Sequence, residues 1–498
     1  MSATLSHDVL IVGGGPTGAT LGLLLEQFGI DTLIIDKEAA IYPLPRAAHI
    51  DHEVMRIFQQ IGAANALAAT CRTTSRYDFL NAKGEVLMRF EGTDQIGAGG
   101  WPVANMIHQP ALESVLAERL ARARHVSMKR RWKFKSLEAD GEAVLTRVDT
   151  PEGEAAIKAR YVVGADGARS TVRETCGIAF NDMHFDEHWL VIDAIVHDYS
   201  RLPPVNLQIC DPERPTTCVL MGEGRHRWEF MIKPGESPDD FLNDELIATL
   251  LKPWNVEGAV TLERKAVYRF NARIAKEWRK GCVLLAGDAA HQTPPFAGQG
   301  LCAGSRDAAN LAWKLAAVRK GAPDTLLDTY QPEREENARA LIEFAIMMGQ
   351  TVCTTDKEAA AKRDAQMLAL RKAQPDSNAA PPVPPIAAGI ILKGSVKAGS
   401  YFPQVLGEGA DAARLDDVLG PGAWLLTREK VDLRSCEGLR VPLRPATLGS
   451  AELSPFAAPL HAWFDNHGVS AVIVRPDRYI FGTGGPVALI KAWGEMIA

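Results

Sequence analysis

Three glycines near the start of the chain have the spacing Gly-x-Gly-x-x-Gly: Gly13, Gly15 and Gly18. They follow the apolar run Val9–Val12 and precede an Ala/Leu-rich segment, which is the order strand, turn, helix. The first glycine permits the turn, the second lets a phosphate approach the backbone, and the third lets helix and strand pack closely. Asp36 ends the next apolar run, where a ribose hydroxyl needs an acceptor. The stretch predicts a βαβ site that binds a dinucleotide pyrophosphate at a helix N-terminus; an ordinary crossover with chance glycines is the alternative.

Two later strand ends also carry a carboxylate next to a glycine. The apolar run Ile157–Val163 leads into Asp166-Gly167, and a later apolar run leads into Gly287-Asp288. Ligands collect at the carboxyl ends of parallel strands. A Pro-rich turn and a Gly-rich helix start follow Asp288, and such a helix start suits an anion. We therefore expect both carboxylates to face a ligand, while a simple turn is the alternative for Asp166-Gly167.

Two residues, Arg46 and Gln109, could contact the middle of a bound dinucleotide, and a histidine beside Arg46 is a candidate base. Arg46 lies in the loop after Asp36, and its guanidinium matches phosphate oxygens in a fork geometry. Gln109 stands at the start of a later helix, where its amide could bridge ligand and protein. His49 lies close to Arg46 and has an ordinary pKa near neutrality, which suits a base. The alternatives are a solvated arginine and a histidine with a local hydrogen bond, next to Asp51 as a helix N-cap.

Composition excludes several classes of protein. The chain has 498 residues and a formal net charge of -6, which argues against nucleic acid as a partner. Its apolar runs are too short and too interrupted to span a membrane, and no basic segment precedes the first one as in a signal peptide. The eight cysteines are dispersed and contain no CxxC pair. This pattern argues against a disulfide framework, a metal site and a dithiol redox centre, and it favours a reducing cytoplasm.

The order of the motifs predicts an α/β fold with a discontinuous dinucleotide-binding domain, residues 1–179 and 271–345. Between its two parts, residues 180–270 contain short alternating runs, which predict a mostly antiparallel sheet. One face of that sheet can roof a ligand pocket. Residues 346–389 are predicted to form helices and a Pro-rich linker, and residues 390–498 a compact third domain.

The motifs Gly13-x-Gly15-x-x-Gly18, Asp166-Gly167 and Gly287-Asp288 together resemble those of the single-component FAD-dependent aromatic hydroxylases, which have the p-hydroxybenzoate hydroxylase fold. The resemblance covers about residues 5–350. Blocks such as Arg-Trp-Glu-Phe at residues 227–230 are most similar to the 3-(3-hydroxyphenyl)propionate hydroxylase and phenol hydroxylase branch. The last domain resembles the thioredoxin-like C-terminal domain of phenol hydroxylases, but it lacks CxxC, so a redox role for it is not expected.

This resemblance implies a Rossmann-like FAD-binding domain and an inserted substrate domain. The implied reaction is hydroxylation of a phenolic compound, ortho to its hydroxyl and of the phenylpropionate-like acid type, with FAD as cofactor, NADH or NADPH as co-substrate and O2 as oxidant. No second dinucleotide motif is present, so NAD(P)H would meet the flavin without a domain of its own. A homodimer is left open. The residues implied to bind FAD are Gly13, Gly15, Pro16, Thr17, Gly18, Asp36, Lys37, Arg46, Gln109, Asp166, Gly167, Gly287, Asp288, Pro295, Gly298, Gly300, Leu301 and Cys302.

A phenol reacts faster when its proton is withdrawn, so a base within reach of the ring hydroxyl is expected. Tyr268 and Arg273, in the pattern Tyr-x-x-x-x-Arg, resemble the active-site strand of phenol hydroxylases, and Tyr268 is the first candidate. A buried structural tyrosine is the alternative, and His49 is the second candidate base. A substrate carboxylate would need an arginine, and the sequence offers Arg225, Arg227 and Arg273 without choosing. The competing functions are a flavin dehydrogenase or reductase without oxygen insertion and a non-catalytic flavin-binding protein.

Overall fold

The computed structural model describes residues 4–374, 383–407 and 413–498, which fold around three large β-sheets. The strands are β1 (Leu5–Val12), β2 (Thr32–Asp36), β3 (His49–Asp51), β4 (Arg76–Asn81), β5 (Val86–Glu91), β6 (Ala104–Met106), β7 (Val126–Arg130), β8 (Lys133–Asp140), β9 (Ala143–Thr150), β10 (Gly153–Gly164), β11 (Phe180–Val196), β12 (Asn206–Cys210), β13 (Thr216–Leu220), β14 (Arg225–Ile232), β15 (Val260–Ala275), β16 (Arg279–Lys280), β17 (Val283–Leu285), β18 (His291–Gln292), β19 (Ala423–Thr427), β20 (Leu443–Thr447), β21 (Ala471–Val474) and β22 (Ile480–Gly484). The α-helices are α1 (Pro16–Gln27), α2 (His52–Gln60), α3 (Ala64–Ala68), α4 (Gln109–Leu120), α5 (Thr171–Thr175), α6 (Asp244–Leu251), α7 (Gly300–Arg319), α8 (Tyr330–Val352), α9 (Lys357–Ala373), α10 (Leu415–Leu419), α11 (Ala457–His467) and α12 (Pro486–Ile497).

The first sheet is the parallel sheet that the sequence predicts around β1 and β2. Its strand order is β16-β17-β10-β1-β2-β7, and β1, β2, β7, β10 and β17 pair in parallel. Residues 9–11 in β1 are fully buried, as expected for a parallel strand covered by helices on both faces. The carboxyl ends of β1, β2, β10 and β17 therefore lie at one edge, where the predicted motifs meet.

The second sheet is mostly antiparallel and has the order β18-β15-β11-β14-β13-β12-β4-β5. This confirms the mostly antiparallel sheet predicted for residues 180–270, although β11 and β15, with 17 and 16 residues, are longer than the short runs that the sequence suggested. The sheet also includes β4 and β5, which come from residues 76–91, because β4 pairs in parallel with β12. One face packs under α6 through a cluster that includes Leu190, Trp228 and Phe241. The opposite face carries Trp189 and Met231, which belong to the core shared with the first sheet.

The last part of the chain contains a four-stranded sheet with the order β20-β19-β21-β22 and its own core. Trp493 of α12 stacks on Trp313 of α7 at 6.3 Å between ring centroids, which joins this part to the rest. The mixed α/β class is thus confirmed, while the thioredoxin-like assignment stays a prediction. The helices predicted before the linker are α8 and α9, and most of the Pro/Ala-rich stretch lies outside the described residues.

None of the eight cysteines forms a disulfide. Among the described residues, no helix combines the length and the apolar character needed to cross a membrane.

Candidate functional site

The three glycines of the first turn have different structural roles. Gly13 has a φ of +110°, and a Cβ there would lie 2.3 Å from the carbonyl oxygen of Ala165. A Cβ on Gly18 would lie 2.0 Å from the carbonyl oxygen of Gly13. At Gly15, by contrast, no heavy atom of the described residues beyond the chain neighbours lies within 4 Å of the Cβ position. The fold requires Gly13 and Gly18, whereas the space at Gly15 is open in the way that an approaching phosphate needs.

The carboxylates at two strand ends are held by backbone amides. Asp36 accepts hydrogen bonds from the amides of Gly14 at 2.7 Å and Glu38 at 2.8 Å. A carboxylate has about four acceptor positions, so Asp36 can still accept a ligand hydroxyl. Asp166 accepts bonds at 3.0 and 3.1 Å from the first turn of α5 through Oδ2. Its Oδ1 is buried and has no hydrogen-bond partner among the described residues. Gly167 follows in a left-handed turn with φ +82°.

The turn Gly287-Asp288 lies directly against the start of α1. A Cβ on Gly287 or on Gly304 would lie 2.7 or 2.4 Å from the Thr17 hydroxyl oxygen, so Thr17 sits where α1 packs on α7. The Asp288 side chain is exposed at the same strand end. Asp288 is thus available to a ligand, while Thr17 also has a packing role.

Asp307 of α7 stabilises the turn Gly287-Asp288, although the sequence did not predict this role. Its carboxylate accepts from the Gly287 amide at 3.0 Å, lies 2.6 Å from His291 Nε2 and pairs with Arg334 at 3.0 Å. Burial alone would raise the pKa of Asp307, but His291 and Arg334 outweigh it and lower the pKa. The only sequence signal is an acidic residue within a helix that is otherwise mostly apolar.

Gln109 and Arg46, each predicted to contact the middle of a dinucleotide, are neighbours in the structure. The side-chain oxygen of Gln109 accepts from the amides of Arg46 at 3.2 Å and Ala47 at 2.7 Å, and its amide nitrogen donates to Glu113 at 2.8 Å. Gln109 therefore fixes the backbone of the loop. The Arg46 guanidinium is exposed and lies 4.9 Å from the centre of the Tyr42 ring.

His49 contacts the Pro-rich turn that precedes α7. Its Nδ1 lies 3.2 Å from the carbonyl oxygen of Gly298. Burial lowers the pKa of His49, although the nearby Asp51 carboxylate opposes the shift. Asp51 is the N-cap of α2, because it accepts from two amides of the first turn, and it also pairs with Arg306 at 2.5 Å. His49 is thus a neutral imidazole at a lower pH than an ordinary histidine.

The inner face of the second sheet is bound to the Arg46 loop by arginines. Arg227 makes a two-bond contact with Asp193 at 2.6 and 3.2 Å, and Arg264 pairs with the same carboxylate at 3.2 Å. Arg227 also donates to the carbonyl oxygens of Arg46 at 2.8 Å and Pro45 at 2.9 Å, and Arg264 donates to Pro45 as well. This ion cluster joins the sheet to the loop that the resemblance puts beside FAD.

An aromatic cluster covers the neighbouring area of the same face. Phe296, in the turn Pro295–Ala297, packs on Trp189, Phe270 and Phe185 with centroid distances of 5.5, 6.2 and 5.8 Å. Tyr268 lies opposite Trp189 in the strand register, and the Arg264 guanidinium lies 4.8 Å from the centre of its ring. The cluster supplies the apolar cover that a water-sensitive reaction needs.

The structure does not bring Tyr268 and Arg273 together, although the sequence motif suggested one active-site pair. They are five positions apart in β15, so their side chains point to opposite faces. Arg273 pairs with Asp182 at 3.3 Å and lies beside Gln292. Tyr268 is on the inner face and Arg273 is not.

The other predicted residues lie around the same edge. Lys37 is exposed after β2, Pro295 begins the turn before α7, and Gly298 adopts a left-handed conformation with φ +63°. Gly300 and Leu301 begin α7, and the Cys302 thiol is buried 3.7 Å from the carbonyl oxygen of Gly298. Burial raises the pKa of Cys302 well above its usual range, so a thiolate role is not supported.

The site fits a long dinucleotide such as FAD. The open space at Gly15 and the start of α1, which no side chain of the N-cap residue caps, suit a pyrophosphate. Asp36 suits a ribose, and the exposed Asp288 suits a polyol chain. Together with the parallel sheet and the antiparallel sheet that faces it, these residues define an FAD-dependent flavoprotein.

Comparisons with known proteins agree with the assignment as a flavoprotein. Residues 6–345 match the family described as FAD binding domain, and residues 399–498 match the HcaD C-terminal domain. The chain is 38% identical to a probable NADH-specific resorcinol 4-hydroxylase of Rhodococcus jostii, over 95% of this chain and 91% of the relative. It is 34% identical to a 3-(3-hydroxy-phenyl)propionate/3-hydroxycinnamic acid hydroxylase of Mycolicibacterium smegmatis, over 97% of this chain and 91% of the relative.

Solved structures show the same fold. The flavin-dependent monooxygenase PieE, in complex with FAD and substrate, superimposes with a TM-score of 0.84 at 22% identity, over 100% of this chain and 99% of that one. Aklavinone-11 hydroxylase with FAD and aklavinone gives a TM-score of 0.80 at 24% identity, over the full length of both chains. The chain belongs to the family of FAD-dependent aromatic hydroxylases.

Proposed function

We propose that this protein hydroxylates a small phenolic compound, with NADH as electron donor and one oxygen atom taken from O2. The observation that carries the proposal is the ion cluster of Asp193, Arg227 and Arg264, which binds the inner face of the second sheet to the Arg46 loop. This contact supports a closed pocket between the sheet and the cofactor site. The choice of NADH is supported by the NADH-specific relative.

FAD would supply the redox chemistry, since it takes electrons from NADH and activates O2 for transfer of one oxygen to the ring. The chain's own residues bind and orient it. Gly13, Gly15, Gly18 and the start of α1 would hold the pyrophosphate, Asp36 the adenosine ribose, and Asp288 the ribityl chain. The start of α7 at Gly300–Cys302 would lie along the flavin ring, and the remaining predicted FAD contacts belong to the same proposal.

The protein must also manage the proton of the phenol. We assign its removal first to Tyr268, which lies on the inner face next to the aromatic cluster and would take the phenol proton in its ionised, tyrosinate form, giving a neutral tyrosine and a substrate phenolate. His49 is the second candidate, because its lowered pKa keeps it neutral and able to accept a proton. Arg273 lies on the outer face, which argues against direct contact with the ring.

The substrate proposal changes in one respect. Arg225 pairs with Glu263, Arg227 with Asp193, and Arg273 with Asp182, so each arginine considered for a substrate carboxylate already has an acidic partner. This favours a phenol without a carboxylate over the phenylpropionate-like acid that the sequence suggested. The resorcinol hydroxylase among the relatives agrees with a neutral substrate.

The test is turnover of the FAD-loaded protein with resorcinol and with 3-(3-hydroxyphenyl)propionate under 18O2. We expect NADH oxidation that depends on resorcinol, with one labelled oxygen atom in the product. NADH oxidation without label in any product would instead identify a dehydrogenase or reductase. A homodimer and a cytoplasmic location stay predictions.

A further inference from the structure

A row of polar side chains crosses four neighbouring strands on the inner face of the second sheet. Tyr77 lies in β4, Gln208 in β12, Thr217 in β13 and Glu229 in β14. Gln208 is directly opposite Thr217, and Thr217 is directly opposite Glu229. Residues directly opposite in a sheet share a face, so the row lies on the same face as Arg227, two residues before Glu229.

The hydrogen bonds of this row leave one end without a donor. The Thr217 hydroxyl donates to the Gln208 side-chain oxygen at 2.7 Å, and the Gln208 amide donates to the Tyr77 hydroxyl. A threonine has a single O–H donor, so Thr217 has none left for Glu229. Hydrogen bonds therefore connect Thr217, Gln208 and Tyr77, but they do not extend to the Glu229 carboxyl group.

The Arg227 guanidinium does not satisfy that carboxyl group either. Its nitrogens donate to Asp193 and to the carbonyl oxygens of Pro45 and Arg46, and its nearest approach to the Glu229 carboxyl is 3.6 Å. No hydrogen bond to the Glu229 carboxyl occurs among the described residues, although the side chain is only 8% exposed. A carboxylate has about four acceptor positions, and this long ion pair leaves them free to accept a hydrogen bond from a ligand.

The surroundings indicate what kind of partner would fit. Burial raises the pKa of Glu229, and the positive charge of Arg227 only partly offsets this effect. A second carboxylate would be repelled by Glu229, whereas a neutral O–H donor would satisfy it. The aromatic cluster on the same face, with Trp189 and Phe296, suits the ring that carries such a hydroxyl.

We propose that Glu229 is a substrate-binding residue that accepts a hydrogen bond from a hydroxyl group of the aromatic substrate. The proposal rests on the proposed function and deepens it, because it names the group that recognises the hydroxyl. Thr217, Gln208 and Tyr77 support the neighbouring part of the wall and do not need to touch the substrate.

The test compares two ligands and two variants of the FAD-loaded protein without NADH. The ligands are resorcinol and 1,3-dimethoxybenzene, which has the same ring substitution but no O–H donor. Equilibrium dialysis gives both affinities, and the flavin absorption spectrum checks that the cofactor site is intact. Glu229→Gln should weaken resorcinol binding about 10-fold, because a charge-assisted hydrogen bond becomes a neutral one. The affinity for 1,3-dimethoxybenzene should stay unchanged.

Glu263→Gln is the matched control. Glu263 also pairs with an arginine of β14, but its partner is Arg225 and not Arg227. This variant should leave both affinities unchanged. Glu229→Asp keeps the charge and retracts the carboxyl by one methylene. It replaces Glu229→Gln if that variant does not fold. The expected result is the same: a lower affinity for resorcinol and an unchanged affinity for 1,3-dimethoxybenzene. Equal loss of both ligands, or no loss of resorcinol, overturns the assignment.

The two proposals fail in different ways. If the wild-type protein hydroxylates resorcinol but Glu229→Gln binds it as tightly, only the role of Glu229 is wrong. If the wild type binds resorcinol through Glu229 but inserts no labelled oxygen, the proposed function is wrong and the binding role stands. A wild type that binds neither ligand overturns both.

Discussion

The Arg227 guanidinium donates a 2.8 Å hydrogen bond to the carbonyl oxygen of Arg46, so a side chain of the antiparallel sheet fixes the main chain of the cofactor loop. The same guanidinium is almost fully buried against Asp193. Sheet and loop are therefore joined through Arg227, together with Arg264, which donates to the Pro45 carbonyl oxygen of the same loop.

Arg227→Ala should disrupt both the fold and the pocket. It leaves Asp193 buried with Arg264 as its remaining ion-pair partner, and loss of one partner of a buried pair costs about 3–5 kcal/mol. Chemical denaturation measures this loss, and the ratio of hydroxylated product to NADH consumed should fall as water enters the pocket. Arg225→Ala is the control: in its pair with Glu263 the two side chains are 26% and 20% exposed, against 5% for Arg227 and 0% for Asp193, and its removal should cost about 1 kcal/mol. Equal losses for the two variants would contradict the role of Arg227.

Gly15→Ala should separate cofactor binding from folding. The Cβ of this alanine enters open space, so the stability of the cofactor-free protein should stay within about 0.5 kcal/mol of wild type. FAD affinity should fall at least about 10-fold, since the methyl group occupies the space that a phosphate needs. Gly18→Ala is the comparison, because its Cβ would lie 2.0 Å from the Gly13 carbonyl oxygen and should destabilise even the cofactor-free protein. Thermal unfolding and titration of FAD fluorescence measure the two effects, and an unchanged FAD affinity in Gly15→Ala would rule out the assignment.

Sequence reasoning succeeds where the signal is local. The strand, turn and helix from Val9 to Gln27 follow from a buried apolar run and three glycines whose steric demands act within a few residues. Arg46 and Gln109 were each predicted to contact the middle of the cofactor, and the hydrogen bond between Gln109 and the Arg46 amide is a contact that the sequence did not predict. The N-cap role of Asp51 follows from its position before an amphipathic helix.

Sequence reasoning fails where partners are far apart in the chain. Asp193 and Arg264 are 71 residues apart, and Tyr77 and Gln208 are 131 residues apart, so only strand pairing reveals them. The sequence around Glu229 does not mark it as a binding residue. Its role depends on Thr217 and Arg227, whose hydrogen-bond donors are directed to Gln208 and Asp193. Tyr268 and Arg273 lie on opposite faces for a local reason, since an odd spacing within a strand separates two side chains, and their catalytic roles stay predictions.

Tyr268→Phe should slow hydroxylation without affecting the cofactor. Loss of the hydroxyl removes the group assigned to take the phenol proton, and general-base removal lowers rates by about 100-fold or more. The FAD affinity and the flavin spectrum should match the wild type. Tyr199→Phe is a control, because Tyr199 also lies under an arginine but on the exposed edge of the sheet domain. Full activity in Tyr268→Phe would transfer the role to another residue.

The pH dependence of kcat/KM tests His49. Because burial lowers its pKa below the ordinary 6.5, His49 stays neutral until the pH falls below that value. If it acts as a base, the acid limb of the profile lies below pH 6.5 and disappears in His49→Gln, with a lower plateau. His125→Gln, on the surface, should retain the wild-type profile. An acid limb that persists unchanged in His49→Gln would exclude His49 as the ionising group.

The last part of the chain is joined to α2 by a buried carboxylate between two arginines. Asp416 pairs with Arg56 at 2.6 Å and with Arg478 at 2.8 Å. Burial alone would raise the pKa of Asp416, but the two guanidiniums lower it to about 2, from an ordinary 3.8. A depressed pKa means that the carboxylate stabilises the fold above pH 3.8 and loses this effect as the pH falls towards 2. Asp416→Asn should therefore cost about 3–5 kcal/mol at pH 7.

The difference in free energy of unfolding between wild type and Asp416→Asn should be constant from pH 8 to about pH 4 and shrink below it, because the wild-type carboxylate is then protonated as well. Urea denaturation at several pH values measures this difference. Asp432→Asn is the control, since its pair with Arg434 is exposed and should contribute nothing measurable at any pH. A difference that is the same at pH 7 and pH 3 would mean that the shape of the Asp416 side chain, and not its charge, joins the two parts of the chain.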